Sequence, residues 1–272
     1  YAEIKINQME KPWGYVFKGW KGPPVDVHVY IPPRATRESP MLIVMPGRTR
    51  DTQIYHAPWV EIAKKKLFVL LTVGVRKSYF PDDFSYGAGR VISSEGYAFH
   101  EDNWLFSVIE PMFEDFKKRY KFKAKKFYIF GSSSGADFVH RYLLFKPNAP
   151  VLKAVSSNPT SVTILEKEIQ YPYGLKNAPL KDNSIKSWLL KDHLVVAWKE
   201  DIKTSTNYLE NSVLNEVQGT TGYERGGFLY TSVKQKAHKR KAQFGWELIT
   251  LSQKKYTNFE IARIVGQRLF DK

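Results

Sequence analysis

Gly131-Ser132-Ser133-Ser134-Gly135 is the segment whose residue types and order suit covalent chemistry. It follows a short apolar run, Phe127-Tyr128-Ile129-Phe130, that reads as a strand. It opens residues 134–146, which read as a helix stopped by Pro147. A G-x-S-x-G pattern between a strand and a helix forces a turn so sharp that its middle residue takes a strained backbone. The flanking glycines leave room where a Cβ would strike the neighbouring strand or helix. The Ser133 hydroxyl is then presented above the strand end, at a helix N-terminus that favours developing negative charge. Such a hydroxyl suits attack on a carbonyl carbon. The plainer reading is a Ser/Gly-rich turn without chemistry.

The elements around that segment alternate. Trp13–Phe17 and Val25–Ile31 read as strands split by Gly22-Pro23-Pro24, an N-terminal hairpin over about 13–31. Met41–Met45 is a buried strand ended by Pro46-Gly47, and Leu67–Val73 is another. Residues 57–66 suit a helix whose closing lysines complement its dipole. Residues 102–120 suit a long amphipathic helix, with Pro111 as a possible kink. Val151–Val155, His193–Ala197 and Trp246–Leu251 are further strands, with helices expected near 206–217, 232–242 and 258–270. Apolar strands alternating with helices predict an α/β chain, with a mostly parallel central sheet covered by helices on both faces. No linker or internal repeat divides residues 1–272, so one domain is expected.

Composition narrows the chemistry. Hydrophobic residues make up 43% of the chain, enough to exclude wholesale disorder. Cysteine is absent, which excludes disulfides, thiolate-held metals and a thiol nucleophile; no metal site or cofactor is expected. No run of residues is long and apolar enough for a membrane span. The formal charge, 42 − 27 = +15, admits nucleic acid, an anionic membrane or a polyanionic substrate as partner, or simply solvated lysines. The densest basic run is 234–241, and no nucleic-acid motif accompanies it. The start at Tyr1 lacks an apolar leader and suits a processing boundary, so a secreted or periplasmic location is expected, with a cytoplasmic one as the alternative.

Several blocks, taken in order, carry a family resemblance. They are Met45-Pro46-Gly47-Arg48-Thr49-Arg50, Phe80-Pro81 with Tyr86-Gly87-Ala88-Gly89, Gly131 to Gly135, and Phe138-Val139-His140-Arg141-Tyr142. Tyr171-Pro172-Tyr173-Gly174-Leu175, Gln218-Gly219 and Arg225-Gly226 follow. Over about residues 25–265 the chain resembles the α/β-hydrolases, and among them bacterial serine esterases related to polyhydroxybutyrate depolymerases. The resemblance implies a serine hydrolase acting on a small-molecule or polymeric ester, with Ser133 as nucleophile. It implies Asp201 as the triad acid (Glu200 a less favoured stand-in), and the backbone N–H groups of Ser134 and Arg48 as the oxyanion hole.

The same resemblance exposes a gap. The family's histidine follows the last strand, yet 252–258 reads Ser-Gln-Lys-Lys-Tyr-Thr-Asn. Tyr256 falls on its place, with Lys254 and Lys255 as the next candidates. Of the six histidines only His238 follows Asp201, and it lies in the basic run. His140 reads as a packing residue, His28, His56 and His193 as structural, and His100 as a possible pocket residue. Tyr55, Trp59, Phe80, Tyr86, Trp104, Tyr171 and Tyr173 suit either an acyl pocket or the core. Two functions stay open: an ester hydrolase with an altered base, or a non-catalytic binding protein on a hydrolase fold.

Overall fold

The computed structural model describes residues 12–199 and 216–271. Its strands are β1 (Trp13–Phe17), β2 (Val25–Tyr30), β3 (Met41–Met45), β4 (Val69–Gly74), β5 (Phe127–Ser132), β6 (Val151–Ser157), β7 (His193–Trp198) and β8 (Trp246–Leu251). They form one sheet in the order β1-β2-β4-β3-β5-β6-β7-β8. β1 and β2 pair antiparallel, as the hairpin reading predicts, and β2 runs antiparallel to β4. From β4 to β8 every pairing is parallel. All of β3, β4 and β7 is buried, as strands covered on both faces require.

The helices depart from the sequence reading mainly at their starts. α1 (Thr52–Lys66) begins before the expected residue 57, because the Asp51 carboxylate accepts from the Gln53 and Ile54 N–H groups and caps it there. The expected helix 102–120 is divided. Two 3-10 turns, Glu101–Asn103 and Leu105–Val108, precede α2 (Ile109–Tyr120). Pro111 lies in the first turn of α2, where its missing N–H has no intrahelical partner to lose, so it produces no kink. α3 is Ser134–Phe145, and α4 (Ser184–Leu190) is too short to have shown a periodic signal. α5 (Gly222–Lys239) starts well before the expected residue 232, and α6 is Asn258–Phe270. Each of the last two opens on a capping box, Thr221 with Glu224 and Thr257 with Glu260. Most of the helix expected near 206–217 lies outside the described residues.

Two apolar cores flank the sheet. One joins it to α2, α3, α4 and α5 through Phe113, Phe138, Trp188 and Leu229; the other joins it to α1 and α6 through Trp59 and Val265. The C-terminal ends of β3, β5, β6, β7 and β8 lie along one edge, because these strands run parallel. The helix C-termini, rich in lysine, gather at the opposite edge.

Candidate active site

Ser133 sits between β5 and α3 with φ 55° and ψ −127°, a backbone region that disfavours side chains other than glycine's. The surrounding atoms show why the two glycines are needed. A Cβ on Gly131 would lie 2.0 Å from the Gly135 carbonyl oxygen, and one on Gly135 would lie 2.2 Å from the Met45 carbonyl oxygen. The turn is thus closed tightly, and the end of β3 is drawn against the start of α3. The Ser133 N–H donates to the Ser157 carbonyl at 3.0 Å, tying the turn to β6. Ser133 itself is half-buried, and Ser134 is the buried first residue of α3, where an N–H lacks an intrahelical acceptor.

The loop after β3 carries Arg48, whose side chain is exposed. Its neighbours are fixed. Arg50, at φ 59°, donates its N–H to the Gly47 carbonyl at 3.0 Å and its Nη1 to the Phe80 carbonyl at 3.2 Å. The Arg50 guanidinium stacks 3.7 Å above the Tyr86 ring, and the Tyr86 hydroxyl donates to the Pro46 carbonyl. Sequence reading assigned Arg50 and Tyr86 no such part.

Every residue of α3 is buried, including Asp137 and Arg141. Asp137 accepts from the Thr160 N–H at 2.7 Å and from the Ser161 N–H and hydroxyl at 3.2 and 3.1 Å. Arg141 donates to the Thr163 hydroxyl, the Gly87 carbonyl, the Ser161 hydroxyl and the Pro172 carbonyl. The pair, 4.0 Å apart, binds three loops to the helix that begins at the serine turn. Charged residues spaced i, i+4 on an otherwise apolar helix were the available signal. Gln218 fastens the start of α5 to the same region by exchanging hydrogen bonds with the backbone of Val162.

Tyr256 lies in the β8–α6 connection. Its N–H donates to the Lys199 carbonyl at 3.2 Å, and its ring is half-buried against the second core. Lys254 stands over that ring and is paired with Glu260 while remaining 61% exposed. Glu200 and Asp201 lie outside the described residues.

The histidines have other occupations. His140 donates from Nδ1 to the Ala136 carbonyl at 2.9 Å and accepts the Thr163 N–H at Nε2. His56 bonds the Thr72 hydroxyl, His193 the Ser156 hydroxyl and His28 the Thr52 hydroxyl. His238 is exposed on α5. His100, exposed, caps the 3-10 turn at 101–103. Among the aromatics, Trp59, Phe80, Tyr86, Trp104 and Tyr171 are buried core residues; only Tyr55 and Tyr173 are half-buried.

Burial sets a pH dependence. Desolvation pushes His56 down to about 4 and His193 down to about 3, and it lowers His140 in the same direction. Below about pH 6.5 the unfolded chain binds these protons and the native chain does not, so stability falls with acidification. Desolvation raises Asp137 to about 6, which opposes the loss, since the native carboxyl takes up its proton first. Taking His56, His193 and Asp137 together, unfolding free energy is expected to be roughly 2–3 kcal/mol lower at pH 5 than at pH 7. Urea titrations at the two pH values check this; equal stabilities would contradict it.

A strained serine between a parallel strand and a buried helix, on an eight-stranded sheet of this order, belongs to the α/β-hydrolase fold, and the chain has that fold. Among solved structures it is similar to poly(aspartic acid) hydrolase-1 from Sphingomonas sp. KT-1, at 29% identity and a TM-score of 0.88, over 96% of this chain and 98% of that one. It is also similar to a poly(3-hydroxybutyrate) depolymerase from Bordetella parapertussis, at 22% identity and a TM-score of 0.87, over 96% and 90%. An S-formylglutathione hydrolase from Agrobacterium tumefaciens matches at 15% identity and a TM-score of 0.58, over 95% and 92%. No protein-family model and no curated protein matches the chain.

Proposed function

We propose that the protein is a serine hydrolase of carboxylic ester bonds, acting on polymeric or small-molecule esters. The observation that carries this reading is the Ser133 backbone, strained at φ 55° and held open by glycines whose Cβ atoms would meet carbonyl oxygens at 2.0 and 2.2 Å. A fold retains such strain where a function needs the side chain there. The Ser133 hydroxyl loses its proton as its oxygen attacks the carbonyl carbon, and the Ser134 and Arg48 N–H groups receive the oxyanion. The ester C–O bond then breaks, the alcohol leaves with that proton, and water hydrolyses the acyl-serine. The Arg50–Tyr86 stack keeps the Arg48 loop in position, and Asp201 serves as the acid. Neighbours named for hydrolysing polymers support a polymeric substrate.

Tyr256 stands at the chain position where the family carries its histidine. A second reading, a binding protein on the same fold, is favoured by the histidines: His140, His193, His56 and His28 are all engaged with groups other than Ser133. Phosphonylation of Ser133 by a fluorophosphonate, absent from the Ser133→Ala variant, separates the two.

A further inference from the structure

Two surface clefts lie away from Ser133, and both are basic. One, of about 460 Å³, is lined by Asn183, Lys186, Ser187, Leu190 and Lys191; the other, of about 390 Å³, by Thr231, Lys234, Gln235, His238 and Lys239. No carboxylate lines either. The first runs along α4 from its N-cap Asn183 to its C-cap Lys191, and the second along the C-terminal half of α5; both helices end at the sheet edge opposite the serine turn. The segment that enters β8 packs on the end of α4: the Gly245 N–H donates to the Leu189 carbonyl at 2.8 Å, and a Cβ on Gly245 would lie 2.8 Å from the carbonyl oxygens of Leu190 and Lys191.

The lysines of these clefts are not neutralised. Among the described residues Lys186, Lys191, Lys234 and Lys239 form no ion pair, whereas Lys236, one residue from the second cleft's lining, is paired with Glu166 at 2.6 Å. Burial, and then the charge of Lys126, depress the Lys191 ammonium, a cost that a bound anion would relieve.

We infer that the two clefts, one along α4 and one along the C-terminal half of α5, dock a linear polycarboxylate, as an exosite separate from the serine turn. Lysines repeated along each cleft, Lys186 and Lys191 on α4 and its C-cap and Lys234 and Lys239 on α5, suit a chain of repeating single charges. Nucleic acid fits less well. The large apolar side chains exposed near this edge are Leu152 and Leu190, neither of them a ring on which bases stack, and Tyr230 and Phe244 are half-buried against the core. No arginine lines either cleft, so the bidentate fork that suits phosphate is missing from both.

The test is fluorescence anisotropy of labelled poly-L-glutamate with the full chain at low salt. The wild type should bind, and binding should weaken as salt rises. The Lys186→Gln, Lys191→Gln, Lys234→Gln, Lys239→Gln combination should bind at least about tenfold more weakly. A control that removes the same charge elsewhere (Lys18→Gln, Lys21→Gln, Lys77→Gln, Lys167→Gln) should stay within about twofold of wild type. Equal losses in both variants would overturn the inference, as would no binding by the wild type. Tighter binding of single-stranded polyuridylate, or of phosphatidylglycerol vesicles, would overturn the choice of polycarboxylate. Binding is read without turnover, and Ser133→Ala should leave it unchanged, so failure here is distinguishable from failure of the hydrolase reading.

Discussion

Tyr256→His is expected to raise the hydrolysis of a p-nitrophenyl ester by about a hundredfold or more. A positioned general base contributes about 10²–10⁴ in rate, and removing the triad histidine of a serine protease costs about 10⁶. A phenol, with a reference pKa of about 10, is a poor proton acceptor at neutral pH, and imidazole, near 6.5, is matched to the task. The backbone is already in place: Tyr256 is anchored to Lys199 at the end of β7, in the connection that follows β8. The half-buried ring leaves room for the smaller imidazole. Tyr256→Phe should give no gain, which separates a restored base from a merely loosened loop. Steady-state kinetics of the two variants decide the matter. No gain from histidine would mean that position 256 does not face the serine.

Gly131→Ala is expected to destabilise the fold by about 3 kcal/mol or more. The added Cβ would stand 2.0 Å from the Gly135 carbonyl oxygen and 2.3 Å from its carbon. Both are backbone atoms of the first turn of α3, so neither can rotate away as a side chain would. Relief requires opening the helix that carries Asp137 and Arg141, and with it the loops those residues hold. The gain of up to about 1 kcal/mol from a stiffer unfolded chain does not offset this. Gly227 is the contrast: it lies within α5 with nothing near its Cβ position, and Gly227→Ala should stabilise by up to about 1 kcal/mol. Urea unfolding of both variants checks the pair. A Gly131→Ala protein as stable as wild type would mean that the turn is loose.

The strands and the serine turn were legible in the sequence because local physics determines them. Apolar runs such as Met41–Met45 cannot be exposed, and Gly131 and Gly135 announce a close approach. Helix starts were less legible. Asp51 and Thr221 extend α1 and α5 well ahead of their apolar periodicity, although the Thr-x-x-Glu pattern at 221–224 was there to be read. The Asp137–Arg141 brace was not legible, since its partners Thr160, Ser161, Gly87 and Pro172 come from distant loops. The aromatics left two readings open for a related reason: Phe80 and Tyr171 suit a pocket wall as well as a core, and the packing places them in the core.

Mass-mapped labelling by a fluorophosphonate probe, run from pH 6 to about 9, tests most directly whether the Ser133 hydroxyl is an activated nucleophile. Probe on the peptide that carries Ser133, and on no peptide of Ser133→Ala, is the expected result. A wild-type protein that stays unlabelled across that range, while folded, would contradict the hydrolase reading.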